Sequence, residues 1–203
     1  MVEKVIIRNG QWDDVKEAAR MTVGKKGVGK IPTDSWKKQI LLAEHSPIRL
    51  YQCKIIFKDI PFFVSGHFVR HKVGSEHFVK TEREDRSETH AKRSELPQDA
   101  PVDYMMVDNA QALINISRKR LCNQASKETR EEWEEAVDLI SKADPVMGSV
   151  LVPECIYRGG CVEKFNSCGL WNNISKKMSK DEIANVEKRY EYYYEWKKKQ
   201  QKN

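Results

Sequence analysis

The sequence has no apolar run long enough to cross a membrane, and its N-terminus lacks the apolar segment of a signal peptide. An odd number of cysteines, five, in a chain without a secretion signal favours free thiols over a disulfide framework. A Gly-rich basic stretch at residues 24–30 lacks the spacing of a phosphate-binding P-loop and reads as a loop that could close over a ligand. These absences predict a cytoplasmic protein without a membrane anchor or a P-loop.

Charge is what the chain has in excess. Of its 203 residues, 33% are charged and 39% are hydrophobic, which fits one domain with a real core. The formal net charge of +6 predicts an anionic partner, such as nucleic acid, a nucleotide or a phosphorylated cofactor. Much of the surplus lies in residues 174–203, so net charge alone does not locate a site.

Hydrophobic periodicity predicts an α+β fold in which helices flank a mixed or antiparallel sheet, because no regular βαβ alternation is present. Asp108 or Asn109 is expected to cap a helix after the second strand. The predicted elements are helices over residues 11–23, from Asp34 or Ser35 to 44, and from Pro61 toward Lys72, and strands over residues 50–57 and 102–107.

The C-terminal part is expected to differ from the rest. Residues 149–169 hold Pro, Gly and three Cys and are predicted to be irregular, and Ser179 with Glu182 forms a capping box. We expect residues 1–175 to form the domain and residues 176–203 to add an aromatic and basic helix. Its Tyr, Trp and Lys side chains could bind nucleic acid. A helix with one aromatic face packed on the core or a neighbour is the favoured interpretation.

A cationic cluster, residues 70–86, directly follows the predicted helix that starts at Pro61. It contains five Lys or Arg and two His, a composition suited to an anionic small molecule. If the helix continues far enough, His67 and His71 share a face. A metal pair is possible there, but the Glu of the zinc-protease motif and a third ligand are missing. An anion-binding or structural role is favoured.

A second cationic group occupies residues 118–130. If this is one helix, Asn123 and Arg130 nearly superpose, and Arg120 lies within about 60° of Asn123. Arginine forks bind phosphates and carbonyl oxygens well. A salt-bridged surface helix is the alternative.

Three cysteines follow at Cys155, Cys161 and Cys168. Their spacing does not match a paired C-x-x-C zinc site. With a distant fourth ligand they could still bind a metal, but free, partly buried thiols are favoured, so no metal is predicted.

Four short motifs stand in one order along the chain: His45-Ser46-Pro47, the strand from Tyr51 to Phe57, Arg70-His71-Lys72, and Arg120-x4-Ala125-x2-Glu128-x-Arg130. In order and spacing they resemble the flavin-dependent thymidylate synthases. Residues 153–155, 160–163 and 168–169 are similar to short, phage-type members of that family. The resemblance covers roughly residues 35–170.

The resemblance implies a homotetramer that binds FAD at subunit junctions and methylates dUMP to dTMP. Methylenetetrahydrofolate would supply the carbon and NADPH the reducing equivalents. The FAD-binding residues implied are Arg70, His71, Lys72, Arg118, Arg120 and Gln124. Those implied for the nucleotide are His67, Lys80, Thr81, Glu82, Arg83, Arg86 and Arg130. Arg130 is the implied catalytic residue, facing the uracil carbonyl.

Two positions depart from the family signature, R-H-R followed by seven residues and a Ser. Lys72 replaces the second Arg and Lys80 replaces the Ser. Loss of the Ser hydroxyl leaves open a different deoxypyrimidine monophosphate as substrate, transfer of a hydroxymethyl group, or a non-catalytic flavin or nucleotide binder. A basic nucleic-acid-binding module is the alternative from another class.

Overall fold

A computed structural model describes residues 1–86, 91–163 and 166–200. The strands are β1 (Val2–Ile7), β2 (Gln52–Pro61), β3 (Ser75–Val79) and β4 (Pro101–Asn109). The helices are α1 (Gln11–Met21), α2 (Asp34–Leu42), α3 (Phe62–Val69), α4 (Ala110–Arg120), α5 (Lys127–Ala143), α6 (Pro145–Gly148), α7 (Glu154–Arg158), α8 (Leu170–Ser175), α9 (Lys180–Ala184) and α10 (Val186–Gln200). Short 3-10 helices lie at Ser46–Leu50 and Arg93–Glu95. No helix in these ranges is long and apolar enough to span a membrane.

The four strands form one antiparallel sheet in the order β1-β2-β4-β3. The predicted alternation holds in the central pair, where Ile55 pairs with Met106 and Phe57 with Tyr104, all buried. β2 runs four residues beyond the predicted end. Its register shifts between Phe57 and Ile60, and Asp59 takes a positive φ there, which is a bulge after which pairing resumes. The predicted α+β class with an antiparallel sheet is confirmed.

The core lies between this sheet and the helices packed on it. The ring of Phe68 on α3 stacks against Phe57 of β2 and Tyr104 of β4, at centroid distances of 5.2 and 5.9 Å. The Trp133 ring of α5 also packs on Phe68, at a centroid distance of 5.7 Å. This aromatic stack fixes α3 on the sheet, and with it the segment that follows α3.

Helix α3 ends at Val69, three residues before the predicted end. The chain then turns at Gly74, which has a φ of 79°, and a Cβ there would lie 2.4 Å from the Asn109 side chain. A glycine therefore suits this tight turn into β3, which lies beyond the end of the helix. His71 lies beyond the helix, so the prediction that His67 and His71 share one helical face is wrong.

Residues 118–130 do not form the single helix that would make Asn123 and Arg130 superpose along one helical face. Helix α4 ends at Arg120, and α5 begins at Lys127 after Ser126 as N-cap. Between them, the Ala125 N–H donates to the Cys122 carbonyl in a turn. Asn and Ser side chains can form hydrogen bonds with nearby backbone groups, and they therefore favour helix caps and turns over helix interiors. Helical periodicity alone does not reveal this preference. The predicted N-cap at Asn109 is confirmed, because its side chain accepts from the Ala112 N–H.

The structure departs from the irregular conformation predicted for residues 149–169, since α7 forms there and is capped by Gly159. The capping box of Ser179 and Glu182 is confirmed. Helix α10 lays its aromatic face on the core: Tyr190 and Tyr193 are buried, and the Tyr194 hydroxyl donates to the Leu151 carbonyl (2.7 Å). The aromatic side chains of this helix therefore serve packing.

Candidate functional site

The C-terminal ends of α3 and α4 meet through one arginine. Arg120 donates from Nε to His71 Nε2 (3.0 Å) and from Nη2 to the His67 carbonyl (2.6 Å). That carbonyl is one of the last four of α3, which have no partner within the helix, so a cation there is doubly favoured. The two cationic segments identified in the sequence are thereby joined.

The contact with Arg120 fixes the protonation of His71. Because Nε2 accepts the arginine N–H, the ring proton resides on Nδ1. Burial, then the charge of Arg120, lowers the pKa of His71 to about 4. His71 is therefore a neutral hydrogen-bond donor at neutral pH, set among cations.

The backbone of His71 is held by a residue that the sequence did not single out. His77 on β3 donates from Nε2 to the His71 carbonyl (2.8 Å), and its Nδ1 accepts from the Tyr104 hydroxyl (2.6 Å). Tyr104 belongs to the aromatic stack on the sheet. His77 could have been suspected from the sequence because it lies within the cationic cluster. Nothing in the sequence indicated that Tyr104 would contact it.

His67 links α3 to the start of α5. The Thr129 hydroxyl donates to Ser126 Oγ (3.4 Å) and accepts from His67 Nδ1 (2.7 Å). Burial, then Arg120, lowers the pKa of His67. Thr129 is fully buried and was not predicted, whereas His67 was.

Arg130 lies one residue further along α5. Its Nη1 donates to Asn123 Oδ1 (3.3 Å), and its Nε lies 3.6 Å from Glu134 Oε1. The predicted proximity of Asn123 and Arg130 therefore exists, but through the turn between two helices. These two contacts leave other guanidinium N–H groups for a ligand.

Arg118 is held by internal contacts. Its guanidinium forms two hydrogen bonds with the Glu44 carboxylate and lies over the Tyr157 ring at 3.5 Å. It nonetheless lines, with Arg120 and Gln124, a cavity of about 290 Å³ beside the turn after α4. Gln124 is tied by its amide to the Asn166 carbonyl (2.7 Å).

The segment implied for the nucleotide phosphate follows β3 at the edge of the sheet. Its side chains are exposed at Lys80, Thr81, Arg83 and Arg86 and half-buried at Glu82. The Lys80 N–H donates to the Asp103 carbonyl (2.9 Å), which extends the strand pairing. Arg83 forms two hydrogen bonds with Asp85 (both 2.9 Å). Arg83 and Arg86 both lie against the Asp85 carboxylate, at 2.9 and 4.0 Å. Arg70 and Lys72, next to His71, are exposed.

The buried thiols of this region are not activated. Burial raises the pKa of Cys155 to about 12, and it also raises the pKa of Cys122. Neither is a nucleophile at neutral pH. The candidate site therefore works through cations and neutral donors.

No family model matches the sequence, and no curated protein matches it significantly. Solved structures match its fold. The UMP/dUMP methylase PolB from Streptomyces cacaoi, bound with 5-Br dUMP, aligns with a TM-score of 0.57 at 13% identity over 72% of this chain and 93% of its own.

Two structures of the flavin-dependent thymidylate synthase ThyX from Helicobacter pylori, both with FAD and dUMP, also align with TM-scores of 0.57. The first is 14% identical over 73% of this chain and 99% of its own, and the second is 12% identical over 74% and 97%. At such identities the likeness concerns the backbone. The chain has the α+β fold that these nucleotide-methylating enzymes share.

Proposed function

We propose that this protein is a flavin-dependent methylase of a deoxypyrimidine monophosphate, with conversion of dUMP to dTMP as the favoured reaction. Methylenetetrahydrofolate is the proposed carbon donor and NADPH the proposed reductant. The observation that carries the proposal is the bridge from Arg120 to His71 and His67. It joins two of the four motifs that carry the family resemblance, in a chain with the fold of enzymes solved with FAD and dUMP.

The residues present fit FAD. Arg70 and Lys72 offer exposed cations on both sides of neutral His71, and Arg120 adds a guanidinium held in place. A diphosphate is matched by such cations, and ring carbonyls are matched by N–H donors. Arg118 and Gln124 line the adjoining cavity and complete the proposed set. Bound FAD supplies the hydride chemistry, and the protein supplies binding and orientation.

For the nucleotide, His67, Lys80, Thr81, Glu82, Arg83, Arg86 and Arg130 are the proposed binding residues. Arg130 is the proposed catalytic residue because its guanidinium, oriented by Asn123 and Glu134, can stabilise negative charge on a uracil carbonyl. In the part of the chain that the structure describes, the hydrogen bonds and ion pairs of Lys80, Arg83 and Arg86 go to Asp103 and Asp85 at the sheet edge and not to Arg120 or His71. This supports the proposed homotetramer, in which sites lie between subunits.

Three further parts complete the proposal: membership of the short, phage-type group, a cytoplasmic location, and the division into a domain of residues 1–175 and an added segment of residues 176–203. The first depends on the resemblance alone, and the other two depend on the sequence patterns described above.

A second candidate reaction is the modification of another deoxypyrimidine monophosphate, or transfer of a hydroxymethyl group. One observation favours it: the Lys80 N–H already donates to the Asp103 carbonyl, so only the Lys80 side chain can serve in place of the signature Ser. An ammonium group on a flexible stem is not equivalent to a hydroxyl. The nucleic-acid-binding alternative loses its aromatic support, because aromatic side chains of α10 pack on the core, and it then rests only on the basic charge of the chain.

Purification gives the first test. We expect a yellow protein that releases FAD on denaturation, and a colourless protein that takes up no added FAD would exclude a flavoenzyme.

The second test follows NADPH oxidation with methylenetetrahydrofolate, using dUMP and dCMP in parallel and identifying products by mass. Turnover of dCMP but not dUMP selects the second candidate, as does a hydroxymethylated product. Comparing the Lys80→Ser variant with the parent protein then shows whether Lys80 determines which nucleotide is used and which product forms.

A further inference from the structure

The outer face of the sheet carries an apolar row. The inner face packs on α3 through Phe57 and Tyr104, and the side chains of each strand alternate between the two faces. The register therefore sets Ile56, Met105 and Phe78 side by side on the outer face, on three neighbouring strands. Phe78 is 53% exposed, and the other two are half-buried although they lie on the two central strands.

Two further apolar side chains extend this row over the whole sheet. Val107 lies two residues after Met105 on β4, and Ile6 lies two residues after the partner of Ile56 on β1. Both are half-buried. An antiparallel sheet that faces water on one side carries polar residues there. An apolar patch that reaches all four strands is instead typical of a surface that binds another protein.

The charges beside this patch are separated by sign. In the two regularly paired rows, Lys4 lies on β1 and Lys54 on β2, whereas Glu76 lies on β3 at the opposite edge. The outer face is therefore positive on one side of the patch and negative on the other. Further charges cluster around Lys58 near the bulge of β2, beyond the two rows: Glu3, Asp59 and Asp103.

We propose that a second copy of this chain packs on the outer face, related by a two-fold axis that runs along the strands between β2 and β4. A two-fold axis uses the same patch on both copies, so the patch must complement itself. This axis sets Ile56 against Met105 of the partner subunit. It also brings β1 and β2 over β4 and β3 of the other copy, so Lys4 and Lys54 come within reach of Glu76 of the partner subunit.

The charges select this axis over the alternative. A two-fold axis across the strands would place each strand on its own counterpart and gather the lysines of both copies on one side of the contact. Like charges placed together in an interface oppose association. The axis along the strands keeps the strands of both sheets aligned, which is a common geometry for stacked sheets.

The face is large enough for a specific contact. Four strands spaced about 4.8 Å apart make a face about 19 Å wide, and the strands average about 25 Å in length. Two such faces bury on the order of 1,000 Å² together, which is about the minimum for a specific protein interface. Strand β3 leads directly into Lys80, so the contact would also hold the edge from which the proposed nucleotide-binding segment starts.

This contact would be one surface of the proposed homotetramer, and it rests on the proposed function to that extent. Its test is separate, because molecular mass is measured without flavin or nucleotide. Self-association through this face in a protein that takes up no FAD would support the contact and count against the flavoenzyme.

Sedimentation velocity of the full-length chain at micromolar concentrations tests the contact. We expect an even multiple of the chain mass of 23.6 kDa. Phe78→Glu places a charge in the apolar row at an exposed position and should halve that mass. The matched control is Ile31→Glu, at a side chain that is 84% exposed and lies outside the sheet, and it should leave the mass unchanged. Circular dichroism shows that each variant is folded.

Exchanging charges tests the orientation. Lys4→Glu or Glu76→Lys alone should weaken association roughly 10-fold, because two attractive pairs become repulsive in each dimer. The double variant should associate about as tightly as the parent protein. Both positions are exposed, so these variants remain decisive if Phe78→Glu does not fold. Three results would overturn the proposal: a monomeric parent protein, an unchanged mass in folded Phe78→Glu, or a double variant that associates no better than the single variants.

Discussion

The Arg120 Nε–H donates to His71 Nε2 over 3.0 Å, and the same guanidinium donates to the carbonyl of His67. The arginine that ends α4 thus sets the tautomer of the histidine that follows α3. The result is a cation and a neutral donor side by side, both oriented before any ligand arrives. Pre-organised donors of this kind cost little reorganisation on binding.

Removing this bridge should weaken FAD binding. We expect Arg120→Ala to raise the Kd for FAD roughly 10-fold to 100-fold, since hydrogen bonds to charged groups contribute about 1.5–3 kcal/mol each. Quenching of flavin fluorescence measures the Kd. Lys127→Ala removes an exposed cation nearby and is the matched control, with little change expected. Equal Kd values for Arg120→Ala and the parent protein would contradict the assignment.

Arg130 should affect turnover more than cofactor affinity. We expect Arg130→Ala to lower kcat roughly 100-fold or more, the usual effect of losing one donor to a developing oxyanion. The Kd for FAD should stay within a factor of about two of the parent value. Stopped-flow kinetics of NADPH oxidation with dUMP gives kcat, and Arg158→Ala, an exposed arginine, is the control. Normal kcat in Arg130→Ala would remove it from the catalytic role.

His71 should make the fold less stable in mild acid. Its pKa is lowered to about 4 in the folded chain, below the value of 6.5 of a free His, so the unfolded chain binds a proton first. Stability from this group is complete above about pH 6.5 and declines as pH falls toward about 4. For a half-buried ring we expect the loss to be on the order of 1–2 kcal/mol after solvent screening.

Urea unfolding across this pH range measures the effect. His71→Gln should flatten the decline, whereas His45→Gln, at an exposed histidine outside the network, should not. An unchanged slope in His71→Gln would show that His71 does not titrate as described.

Asp108 should make the fold less stable as the pH rises, which is opposite to the effect of His71. It is fully buried on β4, and neither carboxyl oxygen has a hydrogen-bond partner among the residues described. Ser75 lies near enough to moderate the shift but not in hydrogen-bond geometry. Burial raises the pKa of Asp108 to about 7, so the folded chain binds a proton that the unfolded chain releases near pH 4.

Stability should therefore fall as pH rises from about 4 to about 7 and then level off. Asp108→Asn removes this penalty, and we expect its gain in unfolding free energy to be larger at pH 8 than at pH 5. The control is Asp99→Asn at an exposed position. A gain independent of pH would contradict the interpretation.

Arg189 should be among the most costly residues of the C-terminal helix to replace. It is buried and donates to three carbonyls, those of Ile156 (2.7 Å), Ile183 (2.6 Å) and Tyr157 (2.5 Å). We expect Arg189→Ala to cost about 3 kcal/mol or more, because it leaves several buried acceptors without donors. Chemical denaturation measures the loss. Lys188→Ala, at the exposed neighbour, should change stability by less than about 0.5 kcal/mol, and similar losses in both variants would contradict the role given to Arg189.

Much of the fold could be predicted from the sequence, because short-range patterns decide it. Alternation at Ile55 and Phe57 places a buried face on a strand, whatever lies beyond it. Asn109 and Ser179 cap helices through bonds to N–H groups three residues away. The cations of the candidate site could also be predicted, because their identity and order can be read directly from the sequence.

Helix ends were harder to predict, because they depend on competition between nearly equal local choices. After α3 ends at Val69, the turn at Gly74 has no room for a side chain, because Asn109, 35 residues later, occupies the space beside it. Similarly, the break between Arg120 and Lys127 replaces a helix that periodicity permits.

The sequence by itself determined the α+β pattern, the caps, and the two cationic segments with their departures at Lys72 and Lys80. The tertiary structure alone decided that Arg120 meets His71 and that Arg118 is held by Glu44 and Tyr157. It also decided that Cys122 lines the same cavity as three cysteines from beyond α5. The reason is physical: these contacts join residues dozens of positions apart, and only the packing of helices on the sheet brings them together.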